Sequence, residues 1–247
     1  MTMSIPKSSW VKAAAAAADS FGLASAGASV ITFEPGVLST VNAPYAPLLT
    51  HFDEIDEGAY AMVPYSSKAG AQNGVDLVGA LVDGSDVANT CAGLVCPTNN
   101  LSSFFVALND GVLALLRGDG QPGVLVQKFD ASFVAVPGDK VGATSLILRV
   151  DGYGASGLLA RNDFYLPGPA ADGSYSFATY TLDQSFANAS IGEVDFYGYF
   201  CSGASCVRNL DKAQFALDNI VVPEPAGLWL VMVAGLAAVG AKRRRAA

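Results

Sequence analysis

The sequence predicts an all-β protein: a two-sheet antiparallel sandwich, jelly-roll-like, with an N-terminal signal segment and one C-terminal transmembrane sorting helix. Three observations predict it. Twenty-six glycines and twelve prolines punctuate the 247 residues. Aromatic and β-branched runs recur between turn-forming residues, and helical periodicity is scarce. Both ends differ in composition from the middle.

At the start, Lys7 and Lys12 precede Ala13 to Ala18, and Ala24-Ser25-Ala26 and Ala26-Gly27-Ala28 offer small-residue cleavage patterns. Residues 1–28 therefore read as a signal peptide. The alternative is an amphipathic surface helix, since Asp19 places a charge where signal peptides carry none.

The middle, residues 29–222, is the extracytoplasmic domain. Strands are expected near Val30–Glu34, Ala59–Tyr65, Val75–Val82, Ser103–Asn109, Val112–Arg117, Val124–Val136, Thr144–Val150, Tyr175–Leu182, Glu193–Phe200 and Gln214–Val222. Asn109-Asp110-Gly111 between two apolar runs reads as a hairpin turn. About ten strands over such a length suit a sandwich better than a small barrel.

The C-terminal segment has three parts. Pro223-Glu224-Pro225 ends the preceding structure, Ala226 to Ala241 carries no charge, and Lys242-Arg243-Arg244-Arg245 follows at once. Sixteen helical residues span roughly 24 Å, so the helix needs bilayer thinning or help from flanking groups. The positive-inside rule leaves the cations cytoplasmic and everything before Pro223 outside.

Removing the six basic and two acidic residues of the two ends from the chain's 14 and 22 leaves eight against twenty, near −12. Such a surface repels nucleic acid and anionic headgroups and tolerates neutral polysaccharide. No nucleic-acid partner is expected.

Four cysteines form two local pairs, Cys91 with Cys96 and Cys201 with Cys206. In an oxidising compartment two short disulfides are the natural reading; a zinc site using all four thiolates is the alternative. Bridges over such short loops fix loop shape more than global stability.

The sequence has a single histidine, His51, followed by the acidic stretch Asp53-Glu54-Ile55-Asp56-Glu57. That stretch reads as a solvated loop and not as part of a catalytic triad. Glu193 and Asp195 would share a strand face about 7 Å apart, the arrangement a glycosidase could use and equally that of outward-facing strand residues. The Asp-Gly steps at Asp83, Asp110, Asp119, Asp151 and Asp172 read as turns. No catalytic residue is assigned. Tyr153, Tyr165, Tyr197 and Tyr199 are available for sugar stacking, and alternating tyrosines also serve as cross-strand pairs.

The C-terminal residues resemble the sorting signal of the PEP-CTERM family: Pro223-Glu224-Pro225, an apolar helix containing Gly235-Leu236, and a basic terminus. Gln214-Phe215-x-x-Asp218, with the stretch from Asp76-Leu77-Val78-Gly79 through Cys91 and Cys96, is similar to a QFxxD subfamily. The resemblance implies an exosortase-type membrane protease as partner, membrane residence through the C-terminal helix before processing, and a cell-surface or matrix destination among exopolysaccharide. It implies no established activity.

Extracellular jelly-roll domains similar to this one place an early acid beside a late Leu-Asp-Asn around a structural calcium ion. Glu34 and Asp218 match those positions, and carbonyls or water would complete six to eight oxygens. Asp218 and Asn219 read equally well as a polar strand end. The expected function is a non-catalytic surface or matrix module with carbohydrate as its candidate ligand; the alternatives are a glycoside hydrolase or lyase on a jelly-roll sheet, and a purely structural adhesion protein.

Overall fold

The computed structural model describes residues 28–34, 48–91, 93–138, 146–202, 205–208 and 212–223. The expected signal peptide, apart from Ala28, and the sorting segment beyond Pro223, with its helix at 226–241 and basic tail, lie outside the described residues. Among the described residues no helix is long and apolar enough to cross a membrane.

Ser29–Val222 forms a compact unit, and it is mostly β: two antiparallel sheets packed as a sandwich. The strands in chain order are β1 (Ala28–Ile31), β2 (Leu48–Thr50), β3 (Ile55–Glu57), β4 (Tyr60–Ser66), β5 (Leu77–Asp83), β6 (Ser103–Ala107), β7 (Gly111–Arg117), β8 (Lys128–Phe133), β9 (Leu146–Gly154), β10 (Gly157–Leu166), β11 (Ala178–Thr181), β12 (Glu193–Ser202), β13 (Ser205–Val207) and β14 (Phe215–Pro223). The first sheet runs β11-β8-β14-β6-β5-β2, with β1 also on β14; the second runs β10-β9-β12-β7-β4-β3, with β13 also on β12.

Alternation decides which side chains meet between the sheets. Phe105, Phe129, Phe133, Phe215 and Leu217 of the first sheet face Leu113, Leu115, Leu148, Val150, Val194 and Phe196 of the second in one core. Phe129 is its hub, with its ring edge-on to Phe164 and Phe196 at 5.4 and 5.3 Å.

The two outer faces are treated differently. On the first sheet, Ala80, Val82, Phe104, Val106 and Ala216 form a second apolar cluster with Cys91, Cys96 and, partly buried, Phe177. The Cys91–Cys96 bridge thus belongs to a cover over that sheet. On the second sheet the outward positions of β9, β10 and β12 are mostly polar or aromatic.

Each of the ten expected strands has an observed counterpart, several with shifted ends; residues 144 and 145 of one lie outside the described residues. The strands β2, β3, β10 and β13 were not expected. Three-residue strands are too short to show a period, and the outward Arg161 and Asp163 of β10 read as loop until their partners on β9 are known.

Asn109-Asp110-Gly111 does not close a hairpin, because β6 and β7 belong to different sheets. The segment is a crossover. Asn109, not the glycine, takes the positive φ of 56°, and a Cβ on Gly111 would lie 2.1 Å from the Val78 carbonyl oxygen. Nor is Asp151-Gly152 a turn, since it lies inside β9. His51 is not part of a solvated loop: it is buried, and its Nδ1 accepts from Ser66 N at 2.9 Å. Glu57 is buried too and accepts from the backbone of Thr32 and Phe33, tying down the segment after β1.

Phe129→Ala should remove the hub contacts and lower unfolding free energy by about 3–5 kcal/mol. A denaturant midpoint close to that of the parent would show that the core does not turn on this ring.

Candidate functional site

The outward side chains of the second sheet form a grid. One row across β4-β7-β12-β9-β10 reads Val63, Ala114, Asp195, Asp151, Arg161; the next reads Tyr65, Val112, Tyr197, Arg149, Asp163. A third adds Tyr199, Ile147 and Tyr165, and the row before contains Glu193 and Tyr153. All four tyrosines named from the sequence therefore share this face, as do Glu193 and Asp195.

Two arginine forks order one side of it. Arg161 Nε and Nη2 donate to the two oxygens of Asp151, each at 2.7 Å, and Arg149 donates to both oxygens of Asp163 at 2.6 and 2.7 Å. Tyr197 and Tyr153 hydroxyls also donate to Asp151, at 2.7 and 3.0 Å. Asp151 is completely buried. Burial pushes its carboxyl up, but the Arg161 fork and the two hydroxyls outweigh this and hold it below the usual range.

Asp195 stands directly opposite Asp151 and has no such fork. It is 4% exposed; Tyr65 Oη donates to Oδ2 at 2.8 Å, and Oδ1 has no hydrogen-bond partner among the described residues. The small Ala114, on β7 between β4 and β12, leaves the diagonal from Tyr65 to Asp195 open. Burial, aided by the negative charge of Glu193 and opposed by the Tyr65 hydroxyl and Arg208, raises the Asp195 carboxyl to about 7. Burial and the Asp195 charge push the Tyr65 phenol well up as well, so it stays a donor.

Arg208 follows β13, which is fastened to β12 by the Cys201–Cys206 bridge between directly opposed residues. Its guanidinium lies over the Tyr197 ring at 3.9 Å, and its buried Nε has no hydrogen-bond partner among the described residues. At the rim, Phe52 holds a positive φ of 65°, is 55% exposed and stacks on Tyr65 at 6.1 Å. A bulky residue with that backbone and its ring in water is a strained placement.

Both disulfides expected from the sequence are present, and among the described residues no three histidine, cysteine or carboxylate side chains are grouped for a metal. Glu34 and Asp218 reach one backbone step: Glu34 Oε1 accepts from Ser103 N at 3.1 Å and Asp218 Oδ2 from Ser102 Oγ at 2.9 Å. Asp218 also accepts from Asn219 N and the Asn100 amide, so its oxygens already face donors. Opposite it lies Asp130, bridged to it by the Asn219 amide. Burial, with the Asp130 charge and against those hydrogen bonds, raises Asp218 to about 6. A polar hollow of about 280 Å³ lies alongside, lined by Asn99, Asn100, Asp130, Thr179 and Asn219.

Sequence reading missed Phe52, Tyr65, Arg149, Arg161 and Arg208. A signal for two of them existed: Arg149-x-Asp151-x-Tyr153 and Arg161-x-Asp163-x-Tyr165 repeat one pattern, and antiparallel pairing sets each arginine against the other strand's aspartate. Nothing local marks Phe52 or Arg208.

No family model and no curated protein matches the chain. Among solved structures, a DUF4465 family protein from Bacteroides caccae is 12% identical, covering 80% of this chain and 99% of its own, with a TM-score of 0.48. An apo cyclase from Fischerella sp. is 12% identical over 81% and 98%, TM-score 0.39. The family 11 carbohydrate-binding module of a Clostridium thermocellum cellulosomal cellulase is 10% identical over 74% and 96%, TM-score 0.31. Likeness at this level assigns no chemistry.

A buried Asp195 holds its proton to about pH 7, whereas an unfolded aspartate releases it near about pH 4. Between those values the folded state binds more protons, so this group's contribution to stability falls as pH rises. Asp195→Asn should therefore raise the melting temperature at pH 8 more than at pH 4.5, relieving at most about 4 kcal/mol. Equal effects at the two pH values would contradict the buried acid.

Proposed function

We propose that this chain is an exported, exosortase-sorted surface or matrix protein whose sandwich binds polysaccharide without cleaving it, on the outer face of the second sheet. The observation that carries the binding reading is the asymmetry of the outer faces. One is covered over Phe104 and Val106 by an apolar cluster around Cys91–Cys96; the other sets tyrosines among carboxylates and arginines, with Tyr165 65% and Phe52 55% exposed. Apolar rings with polar tips beside hydrogen-bonding groups are what a pyranose, with its apolar faces and equatorial hydroxyls, requires.

The destination rests on Pro223-Glu224-Pro225, the uncharged stretch to Ala241 and Lys242-Arg243-Arg244-Arg245. The cofactor part of the proposal is a structural calcium ion at Glu34 and Asp218. The Asn100 and Asn219 amides would have to turn their oxygens inward to supply it, since their nitrogens now face Asp218.

One observation favours a polysaccharide-active enzyme as the second reading: Asp195 keeps its proton near neutrality, as a general acid must, with Glu193 on the same face. The full-length protein incubated with a polysaccharide panel separates the readings. Retention without new reducing ends or unsaturated products is expected, with Phe52→Ala and Tyr165→Ala each weakening it about tenfold. Product formation abolished by Asp195→Asn would make it an enzyme, and no retention on any polysaccharide would leave a purely structural adhesion protein. For calcium, the metal should raise the melting temperature of the parent but not of Asp218→Ala; melting indifferent to chelator would remove the ion.

A further inference from the structure

Two unmet hydrogen-bonding atoms lie in one patch of the second sheet's face. Among the described residues Asp195 Oδ1 has no donor and Arg208 Nε no acceptor, and both are shielded from water. Their neighbours are complete: Asp195 Oδ2 takes the Tyr65 hydroxyl, and the Asp151 oxygens take the Arg161 fork and two tyrosine hydroxyls. Leaving a buried donor or acceptor unmet is unfavourable, because its hydration is lost with nothing in exchange. Native proteins keep such atoms where something else supplies the partner.

The charges around the patch narrow what that partner is. Asp195 meets Glu193 and Tyr197 from its own strand, Asp151 and Tyr153 from β9, Arg161 from β10, Tyr65 from β4, and Arg208 from beyond β13; β7 contributes the uncharged Ala114. Arg161 is matched by Asp151, and Arg149 by Asp163. What remains is Glu193, Asp195 and Arg208, a net charge of −1 with Asp195 ionised and zero with it protonated. A saccharide carrying a carboxylate or sulfate would bring another anion beside Glu193 and Asp195, which together already outnumber the single cation Arg208, on a domain already near −12. A neutral pair of hydroxyls offers one O–H to Oδ1 and one oxygen to Nε–H.

We infer that the Asp195–Arg208 patch is the specificity subsite of this face, taking adjacent hydroxyls of a neutral pyranose and rejecting uronate and sulfated saccharides. The assignment rests on the preceding reading of the face as a polysaccharide site. The ring enters as the Arg208 guanidinium turns off the Tyr197 ring, which it covers at 3.9 Å in the free protein; the sugar takes that aromatic surface, and the turned side chain presents Nε–H to it. Oδ1 accepts best from a hydroxyl when Asp195 is ionised. Because its carboxyl titrates at about 7, affinity for a neutral glycan rises with pH.

The test uses the full-length protein in affinity electrophoresis or calorimetry, with neutral glucan, galactan and xylan against polygalacturonate, alginate and a sulfated galactan, at pH 6 and pH 8. Neutral glycans should bind about tenfold more tightly at pH 8 than at pH 6. Asp195→Asn should flatten that dependence, and Arg208→Ala, which leaves the buried acid in place, should weaken neutral binding at least tenfold. Tighter binding of the acidic polymers overturns the subsite. So does neutral binding that ignores pH and both substitutions but is lost in Phe52→Ala, an outcome that leaves the face reading intact. Absence of binding to every polysaccharide removes the face reading and the subsite with it.

Discussion

The second sheet is organised around two aspartates set directly opposite each other. Asp151 and Asp195 are cross-strand partners on β9 and β12, and like charges in that position repel across about 5 Å. Arg161 settles the conflict for one of them, with a two-bond fork into Asp151. The other has no such fork, and its burial, with the Glu193 charge beside it, keeps its proton on to near neutrality. The remaining features of the face follow from that division: Tyr65 is held as a donor, Arg208 is drawn to the patch without a hydrogen bond to it, and one carboxylate oxygen is left open. The first sheet repeats the motif with a different remedy. Asp130 and Asp218 are also opposed, and the amide of Asn219, held at a positive φ of 49°, bridges them. An amide cannot cancel charge, and Asp218 too is raised, to about 6.

A sandwich needs only its inner faces apolar, so an apolar cover over part of one outer face is an addition to the fold and not a requirement of it. Here Cys91–Cys96, Leu94 and Phe177 pack against Phe104 and Val106 on the first sheet. The other disulfide acts on the opposite side of the molecule, joining β12 to β13 just before Arg208. Neither loop is long enough for the bridge to contribute much through chain entropy. Each instead fixes a short segment against a sheet, one to close a face and the other to place a guanidinium on Tyr197.

Much of this was legible in the residues and some was not. Alternation located β4, β7, β12 and β14 to within a residue or two, because each has apolar side chains at every second position facing a single core. It also set Glu193, Asp195, Tyr197 and Tyr199 on one face. It failed where partners from another strand change a residue's meaning. Arg161 and Asp163 look like loop residues until β9 supplies Asp151 and Arg149. Asn109-Asp110-Gly111 has hairpin chemistry, yet the close approach of Gly111 to the Val78 carbonyl makes it a passage between sheets. His51 sits in an acidic stretch but is drawn inside by the Ser66 amide. Phe52 and Arg208 reach the site only through tertiary packing, and no local pattern announces either.

The most direct test of the central claim, that the uncovered face of the second sheet is where ligand binds, is hydrogen–deuterium exchange on the full-length protein with and without a polysaccharide that it retains. The account predicts protection in β4, in β12 with the segment through Arg208, and around Phe52, with the first sheet unchanged. Protection confined to the hollow beside Asn99, Asp130 and Asn219 would contradict it and move the site to the other sheet.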